Sequence, residues 1–252
     1  MPDLSQSDLL LLFLALALAG LIHGALGLGF SMVATPVLAL FMDVQNAILI
    51  TLFPIISVNL ISIYRGGRWR DSIGRYWPLA LFAAAGGILG THTLILSDPS
   101  PFRLLLAAII LLYLNLERVS RIRLDWIQTH PLGSMALFGL VGGFLAGTVN
   151  VMVPILVIFT LELGLTSTAM VQLFNLCFLA GKISQVGVFS LSGLIDRSLL
   201  VTAVPGVAIA IISLLVGMAI RDRIKAETYR RILKRVLLVI ACVLIGQYLL
   251  GI

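Results

Sequence analysis

Apolar residues run along this chain in long blocks separated by short polar gaps. LLLLFLALALAGLI (Leu9 to Ile22), ILITLFPIISVNLISIY (Ile48 to Tyr64) and VLLVIACVLIGQYLLGI (Val236 to Ile252) approach the ~20 apolar residues needed to cross a bilayer. The blocks predict ten hydrophobic elements at 8–25, 29–42, 46–64, 75–96, 101–118, 132–147, 150–163, 168–191, 198–220 and 232–251. Two of them, 29–42 and 150–163, reach only ~21 Å as helix, short of the ~30 Å of hydrocarbon. These are expected to be broken or re-entrant helices, shielded by protein or lining a wet cavity, because lipid cannot satisfy an open backbone.

Composition agrees with the pattern. Of 252 residues, 60% are hydrophobic and 11% charged, against ~25% charged in a soluble domain. The chain is therefore expected to be an all-α polytopic membrane protein. The opening MPDLSQSD lacks the basic n-region of a cleavable signal peptide.

The net charge of +6 does not point to nucleic acid. Fourteen of the 17 Lys and Arg residues fall in RGGRWRDSIGR (Arg65 to Arg75), ERVSRIR (Glu117 to Arg123) and RDRIKAETYRRILKR (Arg221 to Arg235). Basic clusters confined to short loops are the product of the positive-inside rule. Ten crossings from an outside N-terminus place all three clusters in the cytoplasm and both termini outside it. Cys177 and Cys242 lie within apolar runs and suggest neither a disulfide framework nor a metal site.

The chain also repeats. GLIHGALGLGFSMVATPVLALFM (Gly20 to Met42) lies over GLVGGFLAGTVNVMVPILVIFTL (Gly139 to Leu161) with a one-residue gap, so that Gly20, Gly24 and Pro36 match Gly139, Gly143 and Pro154. A longer span bearing Asn59 or Asn175 follows in each half. With an odd number of crossings per half, the halves have opposite orientation. We therefore expect two inverted-topology repeats of about five elements each, 1–120 and 132–252, joined by a cytoplasmic linker at 121–131. This is a common transporter architecture, with the substrate near the midplane between repeats.

Lys182, midway along its element, is costly in hydrocarbon, ~2.5–3.5 kcal/mol on insertion scales. It either pairs with Glu162 or open carbonyls, or it faces the pathway and attracts an anion. Gln172 and Asn175 share its helical face. In GLIHGALGLGF, Gly24, Gly27 and Gly29 let the chain leave a helix and restart. A restart exposes N–H groups that favour anions. His23 is either packed and neutral, or a donor to an oxyanion or carrier of a coupling proton. GTVN, with Gly147 and Asn150, offers the same arrangement in the second half. No P-loop, nucleophile elbow or metal-ligand spacing is present. No cofactor is expected.

These two hairpins resemble the paired signature of the TauE/SafE family of sulfite and organosulfonate transporters, over essentially the whole chain. The resemblance implies a secondary transporter of the bacterial inner membrane for a small sulfur-containing anion. By position, it implies a site of His23, Gly24, Gly27, Gly29 and Ser31, with Asn59, Gly147, Asn150, Gln172, Asn175 and Lys182. Many members carry a glycine run where this chain has GLGFSM, a departure that leaves room for a larger ligand such as an aromatic sulfonate. An anion channel and a carboxylate transporter are the alternatives, and an intramembrane enzyme lacks a nucleophile with its base. The expected partners are the lipid bilayer, the anion and a coupling H⁺ or Na⁺.

Overall fold

A computed structural model describes residues 5–67, 69–116, 124–221 and 226–250. They form helices joined by short connections, with no strand among the described residues. In the first half lie α1 (Gln6–Leu26), α2 (Phe30–Leu38), α3 (Val44–Gly66), α4 (Trp69–Leu96) and α5 (Ser100–Leu114). A four-residue helix, α6 (Trp126–Thr129), leads into α7 (Pro131–Val149), α8 (Val153–Glu162), α9 (Ser167–Leu191), α10 (Arg197–Ile220) and α11 (Ala226–Leu250).

Each predicted element contains a helix, but several bounds differ: α8 starts at Val153, three residues into its element, and α4 and α11 start six residues before theirs. The 29–42 element is helical only to Leu38, and turns carry the chain on to Met42. The 101–118 element is a 15-residue helix closed by Asn115, and 117–118 lie outside the described residues. The short α6 falls within the 121–131 segment. Of the basic loops, ERVSRIR lies wholly outside the described residues, as do Arg68 and 222–225.

Among the described residues, seven helices are long and apolar enough to cross a membrane. α2 and α8, with 9 and 10 residues, reach only ~15 Å. Caps set several of the starts. Ser5 and Asp8 form a reciprocal capping box on α1, and the side chains of Asp43, Thr166 and Asp196 accept the N–H groups that open α3, α9 and α10. Capping satisfies donors that a helix leaves free.

Of the seven long helices α3 is the most enclosed, 67% of its apolar window being buried, whereas α11 has 28%. α3 packs on α9 and α10, α9 on α3 and α4, α1 on α10, α4 on α7, and α5 on α11. Glycines bring two of these interfaces to backbone contact. A Cβ at Gly20 would meet the Ala210 carbonyl at 2.8 Å and one at Gly139 the Leu79 carbonyl at 2.8 Å. Cβ atoms at Gly24 and Gly143 would fall on the carbonyls of Leu214 and Ala83. Such close approach is how helices gain dispersion contacts where lipid offers no hydrophobic drive.

Candidate functional site

Two breaks interrupt the apolar run, one in each half. Between α1 and α2, Gly27 closes α1 at φ 79° and Gly29 precedes α2 at φ 108°. A side chain at such angles costs energy, and glycine does not. Between α7 and α8 the corresponding turn is made by Asn150 at φ 62°, among the described residues the one non-glycine with positive φ. Asparagine tolerates this region better than most residues. Pro154 in the first turn of α8 has no N–H to leave unsatisfied.

At the first break, the Phe30 N–H that opens α2 donates to Nδ1 of His23 at 3.4 Å. A backbone N–H can only donate, so Nδ1 accepts and the ring proton sits on Nε2, which faces Ser62 Oγ at 3.1 Å. The imidazole is thereby held as one neutral tautomer. Asn175 of α9 donates to the Gly27 carbonyl at 3.0 Å, satisfying an acceptor at the end of α1 that the helix leaves open.

A small, partly open pocket with room inside for about one water lies against this break. His23, Ser31, Asn59 and Asn175 supply its polar lining, and Gly29 its backbone. Phe30, Phe174, Phe178 and Ile55 supply an apolar wall. Asn59 is 2% exposed and makes no hydrogen bond among the described residues, so its amide is available to an occupant. Among the described residues, no Lys or Arg lines the pocket. Neutral polar groups and an apolar wall therefore face each other across the pocket.

The remaining predicted residues stand elsewhere. Asn150 Nδ2 donates to Thr35 Oγ1 at 2.6 Å and Thr51 Oγ1 at 3.3 Å, and its Oδ1 is buried without a partner. Gln172 Nε2 donates to the carbonyls of Ile63 and Gly67 at 3.2 and 2.7 Å, closing the end of α3. Gly24 packs against α10 and Gly147 against α4. Lys182, 1% exposed, bonds to Gln185 Oε1, not to Glu162, and is absent from the pocket lining. Gln185 Nε2 in turn donates to Thr91 Oγ1 and to the Gly147 carbonyl, both at 3.1 Å.

The structure therefore gathers His23, Gly29, Ser31, Asn59 and Asn175 at the first break. Lys182 and Gly147 stand at the second, with Asn150 at its turn. Sequence reading missed Ser62, Thr35, Thr51 and Thr91. Their signal is faint, because a single hydroxyl in an apolar helix reads as a side chain bonding its own backbone, as Thr51 and Thr91 also do here.

Neither the curated proteins nor the solved structures contain a match to the chain. The family model of the sulfite exporter TauE/SafE matches residues 12–244. With its seven long apolar helices, the chain is a multi-pass membrane protein that belongs to the sulfite exporter TauE/SafE family.

Proposed function

We propose that the protein is a secondary transporter that moves sulfite or an organosulfonate across the bacterial inner membrane, and that it binds its substrate at the first helix break. The observation that carries this reading is the pocket in which His23, Ser31, Asn59 and Asn175 face three phenylalanines. Sulfonate oxygens accept from the Ser31 hydroxyl, the Asn59 amide and the first-turn N–H groups of α2 beyond Phe30, while Phe30, Phe174 and Phe178 cover an apolar or aromatic tail. Transport follows when outward- and inward-facing forms bind the anion differently.

The architecture behind this reading is a pair of inverted repeats, 1–120 and 132–252, linked by 121–131. Its support is the reciprocity of the packing. α1 lies on α10 as α7 lies on α4, α3 on α10 as α9 on α4, and α3 meets α9 as α5 meets α11. Gly20 and Gly24 approach Ala210 and Leu214 as Gly139 and Gly143 approach Leu79 and Ala83, with the same four-residue spacing on both sides. In this reading α2 and α8 are re-entrant, and the basic loops place both termini outside the cytoplasm.

The test is thermal stabilisation of detergent-purified protein by sulfite, thiosulfate, sulfoacetate and 4-toluenesulfonate, with sulfate and benzoate as controls. A ligand at 100 times its Kd stabilises by ~2.7 kcal/mol. Stabilisation by a sulfonate that disappears in Asn59→Ala supports the site. Equal stabilisation by benzoate indicates a carboxylate transporter, and no stabilisation by any sulfur anion sinks the reading.

A further inference from the structure

The second break holds a cation that the pocket does not use. Lys182 is 1% exposed in the middle of α9. Taking an ammonium out of water without a counter-charge is costly, so its surroundings decide which charge states it can adopt. Its bonding partner is an amide, Gln185 Oε1. That amide cannot turn over. Its Nε2 donates to the Gly147 carbonyl and to Thr91 Oγ1, and Thr91 spends its own proton on the Gly87 carbonyl at 2.7 Å. Turning the amide would set Oε1 against a carbonyl oxygen. Oε1 is thus a fixed acceptor, and both an ammonium and a neutral amine can donate to it. A carboxylate partner would hold the lysine charged, whereas this partner serves both states.

Ionisable groups on the surrounding helices leave the lysine to itself. Among the described residues α7 has none. On α4, His92 is exposed beside buried Thr91, and Arg75 and Tyr76 stand near the other end of the helix, where Arg75 is exposed over the Tyr76 ring and Tyr76 packs on Phe159. On α3, Tyr64 and Arg65 are exposed at the helix end. On α8, Glu162 is half-buried at the C-terminal end, where its carbonyl accepts from Gln128. Cys177 of α9 is buried more than a turn away, and His23 of α1 is bonded to Phe30 and Ser62. Lys182 pairs with no carboxylate among the described residues.

We propose that Lys182 is the proton-carrying group of the protein, so that movement of the anion is coupled to movement of H⁺. This rests on the reading of the chain as an anion transporter. The ammonium releases its proton to water on one side, the electron pair stays on Nζ, and the amine takes a proton from water on the other side. No other bond changes. Because α9 bears both Asn175 at the first break and Gln185 at the second, one helix touches the anion pocket and the proton site.

Two measurements test it. Protein in liposomes containing a pH-sensitive dye is given labelled 4-toluenesulfonate or sulfite, with and without a pH gradient. Wild type is expected to move the anion and change the internal pH together. Lys182→Gln and Lys182→Arg are expected to exchange labelled for unlabelled anion while losing gradient-driven accumulation and the dye response. Anion flux in wild type without a dye response overturns the proposal and leaves the transporter standing, whereas no anion flux at all overturns both. The second measurement needs no variant to be active. The chain has three lysines, Lys182, Lys225 and Lys234, so 15Nζ-lysine spectra of wild type are simple. One resonance is expected to pass between amine and ammonium as pH is varied over the folded range. If all three keep one state throughout, the proposal fails.

Discussion

Asn175 and Gln185 stand ten residues apart on α9, and each donates its amide to a carbonyl at a different break, Asn175 to Gly27 at 3.0 Å and Gln185 to Gly147 at 3.1 Å. α1 and α7 both end inside the protein, and α9 satisfies a carbonyl at each end. Asn175→Ala leaves the Gly27 carbonyl open, and an unsatisfied buried acceptor costs about 1–3 kcal/mol. We expect a lower midpoint of thermal unfolding, and weaker anion binding because the same side chain lines the pocket. Unchanged values for both would remove Asn175 from the site.

Glycines at helix contacts separate into two kinds. A Cβ at Gly24 or Gly143 would fall on a facing carbonyl, of Leu214 or Ala83, whereas one at Gly187 or Gly246 meets nothing within 4 Å. Gly24→Ala and Gly143→Ala force backbones apart and should each destabilise by about 1–3 kcal/mol. Gly187→Ala and Gly246→Ala should be neutral or stabilise by up to ~1 kcal/mol. Thermal unfolding of the four variants side by side decides the matter.

The two breaks use different residues for the same turn, and substitution should expose the difference. At Gly29 the nearest atom to an added Cβ is Ile22 Cγ2 at 3.9 Å, so Gly29→Ala suffers backbone strain alone, about 1–2 kcal/mol. Asn150→Gly keeps the turn but loses the bonds to Thr35 and Thr51, each worth ~0.6 kcal/mol in membrane proteins. Asn150→Ala loses the bonds and strains the turn, so it should be the less stable of the two. The reverse order in a denaturation series would show that the turn relaxes away from positive φ.

Asp98 introduces a pH dependence at the α4–α5 turn. It is exposed, and the Ser100 N–H that donates to its Oδ1 at 2.8 Å holds its carboxyl below the usual carboxylate range. A group depressed in the folded state stabilises above its unfolded value and loses that contribution as pH falls through the folded one. Asp98→Asn should therefore lower the unfolding midpoint slightly at neutral pH and leave it unchanged below the acid transition. A midpoint equally lowered at every pH would assign the effect to the lost bond geometry instead.

The elements were legible because hydropathy reports transfer into lipid directly, and the breaks because Gly27, Gly29 and Pro154 interrupt an otherwise uniform run. The contacts were not. Gln172, Asn175 and Lys182 share a helical face by spacing, but α9 has 25 residues and its amides reach three different partners at different heights: the end of α3, the end of α1, and the second break. Spacing along a helix states which residues point the same way and is silent on what each one meets. Lys182 is conspicuous in the sequence for its charge, whereas nothing in the spacing singles out Gln185 as the side chain that accepts from it.

That no described Lys or Arg lines the pocket has a consequence for valence. Neutral donors solvate an anion without cancelling its charge, and the cost of desolvating an ion grows with the square of that charge. A second negative charge raises this cost about fourfold, while the number of donors stays fixed. If the first break takes the anion as proposed, it favours a singly charged oxyanion, and a doubly charged ligand of the same shape would have to shed a charge before settling there.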